Sequence, residues 1–153
     1  MKYVVGIDIG ANGAITFYNK KFDILAVHDM PMFQLKKGRV LDVSALSKIL
    51  QSDEIEHAFI EKAMMMPKNG KISYHRLGYM EGAFLAMFAT LGIPYTVVPP
   101  ATWKKALSCP KDKDGARMRA SQIFPNHTSL WPLKKHDGRA EGALIAYYGY
   151  SKL

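Results

Sequence analysis

The sequence predicts an α/β fold: a mixed five-stranded sheet, three antiparallel strands first, flanked by helices. Three observations carry this. The first thirty residues hold three β-rich runs separated by short turn signals. The remainder alternates helical and strand-like segments, the order expected of an α/β sheet. No repeat, low-complexity tract or linker-like stretch interrupts the 153 residues, so the chain reads as a single domain, 1–153.

"KYVVGIDI" (2–9) and "GAITFYN" (13–19) are strand-like runs joined through Gly10, Asn12 and Gly13. Asn-Gly between strands favours a tight hairpin because both residues tolerate positive φ. "KFDILAVHDM" (21–30) reads as a third, antiparallel strand after a turn at Asn19-Lys20, and "PMFQLKKGRV" (31–40) as a mobile loop. Asp42 is placed to cap a helix whose Val43, Leu46, Ile49 and Leu50 share one face. "EHAFIEK" (56–62) is a short buried strand. "SYHRLGYMEGAFLAMFATLG" (73–92) is the longest helical pattern, closed by Gly92 with Pro94 beyond it. "YTVVP" (95–99) gives the fifth strand. "ATWKKALS" reads as a short helix and "GARMRASQIFP" as a longer one ended by Pro125. "DGRAEGALIAYYGYSK" (137–152) is the last helix.

Composition narrows the functional class. Apolar residues make up 48% and charged residues 22%, a globular balance. No run approaches the roughly 20 apolar residues of a membrane span. The start, MKYVVGID, enters a strand pattern directly, without the segments of a secretory leader. A lone cysteine, Cys109, excludes an internal disulfide and fits a reducing compartment. The net charge of +8 favours a polyanionic partner such as nucleic acid. Between Thr102 and Arg139 there are nine Lys and Arg against three acids, and residues 62–76 hold Lys62, Lys68, Lys71 and Arg76 with no acid. The candidate nucleic-acid contacts are these four together with Lys104, Lys105, Lys111, Lys113 and Arg117.

Against that basic background, a few carboxylates stand in odd places. Asp8 lies among Val4, Val5, Ile7 and Ile9, where an unpaired charge is costly and a metal ion is one remedy. Glu61 ends the fourth strand. Asp137 and Glu141, four residues apart, share a face near the start of the last helix. Bland roles exist for three of them: Asp137 as a helix N-cap, Glu141 as a helix-dipole residue, Glu61 as a partner of Lys62 or Lys71. Asp8, in mid-strand, has no such role. Together the four make an oxygen-ligand set suited to hard divalent cations, and two such ions can hydrolyse a phosphodiester.

"VVGIDIGANGAI", "AFIEK" and "HDGRAEGALIA", in that order and spacing, resemble the RuvC-like Holliday junction resolvases, above all the compact bacteriophage type. "YTVVPPATWKK" is similar to the segment before the basic region of those proteins, and the resemblance runs from Met1 to about Tyr148. It implies an RNase H-like fold, a homodimer, and Mg²⁺-dependent endonucleolytic cutting of four-way and other branched DNA. Mn²⁺ is expected to substitute, with two ions in each active site. The resemblance places the metal-binding and catalytic acids at Asp8, Glu61, Asp137 and Glu141. It also implies no small-molecule cofactor, no membrane, and a bacterial or phage-infected cytoplasm. Glu141 stands where the family usually has aspartate, and some members space the two late acids three apart, which leaves Asp137 and His136 as alternative fourth groups.

Other residues carry two readings each. Met64, Met65 and Met66 are core filling or an apolar wedge entering a junction. Trp103 and Trp131 are packing residues or base-stacking platforms. Gly78, Gly82 and Ala86, four apart, mark close packing on the sheet or a helix contact across a two-fold axis. Three other classes compete: an actin-like phosphotransferase lobe, for which no second phosphate hairpin is visible; a catalytically silent junction binder; and a related nuclease for flaps or RNA–DNA hybrids.

Overall fold

The computed structural model describes residues 1–64, 70–112 and 114–153. β1 (Lys2–Asp8), β2 (Ala14–Asn19) and β3 (Ile24–Asp29) form an antiparallel meander. β6 (Glu54–Glu61) then adds parallel to β1, and β7 (Tyr95–Val98) parallel to β6, giving the order β3-β2-β1-β6-β7. The predicted mixed five-stranded sheet is therefore present. The third strand starts three residues later than expected, because Asp23, at φ 50°, extends the turn.

The segment 31–40 differs from its predicted loop. It folds as a small hairpin of β4 (Met32–Gln34) and β5 (Arg39–Leu41), pairing Met32 with Leu41, Phe33 with Val40 and Gln34 with Arg39. Gly38 adopts φ 82° at its tip, and the Leu35 amide donates to the Gly38 carbonyl at 2.9 Å. Three-residue strands with polar tips carry too little alternation to show as strands in sequence.

Strand alternation sorts the core onto two faces. Val5, Ile7, Ile15, Phe17, Ala58 and Ile60 point to one side. There α1 (Val43–Leu50) covers them with Leu46 and Leu50, and α2 (Lys71–Leu91) with Met80, Phe84 and Phe88. Val4, Tyr18, Phe59 and Val98 point to the other. That side is covered by α3 (Pro100–Ala106), α4 (Gly115–Ile123) and α5 (Asp137–Tyr150). Asp42 caps α1 by accepting from the Ala45 amide at 2.9 Å, and Gly92 ends α2 at φ 66°, both as expected. Asp137 is not the N-cap of α5: His136 occupies that position and Asp137 is the first helical residue, with no capping hydrogen bond. No described helix is long and apolar enough to cross a membrane.

Candidate active site

The geometry of the site follows from where α5 can lie. A Cβ on Gly6 of β1 would collide with the Ala146 amide nitrogen and the Gly142 carbonyl oxygen, so strand and helix touch backbone to backbone. A Cβ on Gly138 would collide with the Asn12 carbonyl oxygen and approach Asp8 Oδ2 to 3.0 Å. Missing side chains thus seat the first turn of α5 against the end of β1. Asp8 alternates with the buried Ile7 and so points to the α5 face; Glu61, following Ile60 on the parallel neighbour, does the same. Glu141, one turn into α5, meets both.

One carboxylate oxygen from each of Asp8, Glu61 and Glu141 lies within 4.8 Å of the others. Asp8 is only 9% exposed. Burial, then the negative charges of Glu141 and Glu61, push its pKa well above the ordinary carboxylate value. Burial likewise lifts Glu61 to about 7, partly offset by a hydrogen bond from the Trp103 indole. That bond, Nε1 to Oε2 at 2.9 Å, takes the place of the lysine pairing considered for Glu61. Lys104 Nζ donates to Glu141 Oε1 at 3.0 Å. Burial works against that ammonium, but the charge of and hydrogen bond to Glu141 outweigh it and raise its pKa. Among the described residues a single positive side chain therefore faces three acids. Buried anions short of compensation, all with hard oxygen donors, fit a divalent cation.

Asp137 is outside this cluster but lines the same open cleft, of about 770 Å³, with Asp8, Asn12, Arg39, Lys104, Lys111, Lys135, His136 and Glu141. Its Oδ1 is buried without a hydrogen-bond partner among the described residues. His136 is half-buried; its Nδ1 accepts from the Leu133 amide at 3.2 Å, which places the ring proton on Nε2. Burial, then the nearby Arg139 and Lys135, hold its pKa below the usual histidine value.

The predicted basic contacts divide. Lys62, Lys71, Arg76, Lys105 and Lys111 are exposed, and Lys111 reaches the cleft rim. Lys104 is in the acidic cluster itself, and Arg117 is tied to Asp114 at 2.6 Å. Lys68 and Lys113 lie outside the described residues, as do Met65 and Met66; Met64 is exposed rather than core. Both tryptophans are buried, Trp131 donating to Ser121 Oγ at 2.9 Å, so neither is a stacking platform. Gly78, Gly82 and Ala86 are exposed, and a Cβ on either glycine would meet nothing within 4 Å, so the stripe does not pack on the sheet. Sequence reasoning missed three contributors: Trp103 as a donor to Glu61, Arg39 on the cleft wall, and the Gly6–Gly142 seam. Only Gly6 gave a sequence signal, as a glycine in a buried strand.

In fold, the chain is similar to the RuvC-type Holliday junction resolvases. The T. thermophilus RuvC structure in complex with a Holliday junction substrate matches over 98% of this chain and 95% of that one, with a TM-score of 0.65 at 15% identity. The fowlpox virus Holliday junction resolvase matches over 99% of both, with a TM-score of 0.57 at 14% identity. The yeast mitochondrial resolvase Ydc2 matches over 95% of this chain and 76% of that one, with a TM-score of 0.57 at 16% identity. In sequence, the chain is 27% identical over 92 residues to the chloroplastic Holliday junction resolvase MOC1 of Chlamydomonas reinhardtii, across 59% of this chain. The match spans about 10% of that relative's length. No protein-family model matches the sequence.

Proposed function

We propose that the protein is a metal-dependent endonuclease that resolves four-way and other branched DNA junctions by phosphodiester hydrolysis, residues 1–153 forming one nuclease domain. The observation that carries this reading is the convergence of Asp8, Glu61 and Glu141, with Asp8 and Glu141 lining a cleft that also carries Lys111 and Lys135. The acids would hold Mg²⁺, two ions to a site with Mn²⁺ able to substitute, and Asp137, lining the same cleft, would be the fourth group. When bound, such ions supply an activated water and charge stabilisation for the departing oxygen. The chain's own residues do the rest. Trp103 holds Glu61 by its hydrogen bond, and Lys104 partly balances the acids, a charge that a bound cation would supplement. Exposed Lys62, Lys71, Arg76, Lys105 and Lys111 hold phosphates.

Symmetric cutting of a four-way junction needs two sites related by a two-fold axis, so the working unit is a homodimer. The exposed Gly78, Gly82 and Ala86 stripe of α2 supports that face as the contact, since small side chains let helices approach closely. The test of the reading is cleavage of a synthetic four-way junction beside duplex, flap and RNA–DNA hybrid, with Mg²⁺ and with EDTA. Mg²⁺-dependent paired nicks in the junction are expected. Preferred cutting of hybrid or flap would move the assignment to a related nuclease, and binding without cutting to a junction-binding module.

A further inference from the structure

We propose that the β4–β5 hairpin is a phosphate-gripping arm of the cleft, with Arg39 on its inner face and Lys36 and Lys37 at its tip holding the backbone of a DNA strand that enters the acidic site. The inference rests on the nuclease reading and adds a surface to it.

Antiparallel partners share a face. Leu41 is buried in the core with its partner Met32 packed against it, so Gln34 and Arg39, two residues along each strand, point the same way. That side meets the turn between β1 and β2: Arg39 Nη2 donates to Asn12 Oδ1 at 2.7 Å, and both residues line the cleft with Asp8 and Glu141. The Arg76 guanidinium of α2 stands beside the tip, where a Cβ on Gly38 would come within 3.0 Å of it. Gln34 Nε2 braces the tip by donating to the Leu35 and Gly38 carbonyls at 3.0 and 3.1 Å. This is a positioned arm.

Its charge is uncompensated. Residues 32–41 contain Lys36, Lys37 and Arg39 and no acid. Among the described residues, no carboxylate lies within ion-pair distance of these three or of Arg76. Another arginine of the cleft lining is different: Arg139 is held by Asp29 through two bonds of 2.7 Å. Among the described residues Arg39 has only a neutral amide as partner, so its fork stays available to a phosphate oxygen. A cationic wall beside an acidic cluster is what a phosphate chain requires, because the acids alone would repel it.

The experiment measures junction affinity against salt in protein silenced by Asp8→Asn, so that substrate survives. Each phosphate contact contributes a log–log slope of about −0.9. Arg39→Gln should flatten the slope by about 0.9, and Lys36→Ala with Lys37→Ala by about twice that. Lys48→Ala, a neutralised exposed lysine on α1, is the control and should leave the slope at the parent value. Slopes equal to the parent in both hairpin variants, with unchanged melting temperatures, would overturn the arm while leaving the nuclease reading intact. A silenced parent that binds no junction would overturn both.

Discussion

The indole of Trp103, fully buried, donates to Glu61 Oε2 at 2.9 Å and so fixes one acid of the site from within the core. Trp103→Phe keeps most of the ring and removes the donor. A hydrogen bond to a charged acceptor is worth about 2 kcal/mol. The variant should therefore unfold more easily in urea at pH 8 in EDTA by roughly that amount, and bind Mn²⁺ more weakly in calorimetry. Unchanged stability and affinity would reduce Trp103 to packing.

Asp8→Asn removes a buried charge while keeping shape. Cleavage should vanish and junction binding persist, since the basic surface is untouched. The same change should raise the melting temperature in EDTA, because the native state no longer carries an anion raised in energy by burial and by Glu141 and Glu61. Wild-type cleavage rates in this variant would remove Asp8 from the site.

The elevated acid at Glu61 has a defined sign in pH. Its folded pKa, about 7, is above the ordinary 4.5, so the native state binds the extra proton. The resulting stability is fully present below about 4.5 and is lost as pH rises through 7. In EDTA, unfolding free energy should fall across that window by on the order of 3 kcal/mol, and Glu61→Gln should flatten the fall. Chemical denaturation at pH 5 and pH 8 measures it.

Lys104 sits 3.0 Å from Glu141 and is, among the described residues, the one ammonium facing three carboxylates. Lys104→Gln should destabilise the metal-free protein at pH 8 by about 1–2 kcal/mol, through anions left uncompensated. Added Mg²⁺ should shrink that loss. An equal loss with and without Mg²⁺ would show that ammonium and cation are not exchangeable there.

How much of this was legible beforehand depended on range. The five main strands, the Asp42 cap and the Gly92 terminator are written in local patterns that the structure keeps. Asp8 announced itself by being a charge in an apolar run. The 31–40 hairpin did not, because its strands are too short to show alternation and its docking depends on Arg39 reaching Asn12, 27 residues away. The Trp103 bond spans 42 residues and the Lys104 bond 37, and nothing local distinguishes those side chains from Trp131 or Lys105. The alternative cap role of Asp137 fails because the preceding 3₁₀ turn, Lys134–His136, runs straight into α5 and gives the cap position to His136.

The register of the two central strands has a last consequence. Ile7 pairs with Ile60, so Asp8 and Glu61 are the next residues on hydrogen-bonded parallel neighbours. Their spacing is set by the peptide ladder, about 4.8 Å from strand to strand, rather than by any side chain. Amide deuteration should therefore proceed last at the centre of this pair, and early at the hairpin tip, whose backbone is exposed. Partial unfolding would detach the surfaces that hold substrate well before it disturbed the distance between these two acids, so lost affinity would precede lost chemistry as the protein is warmed.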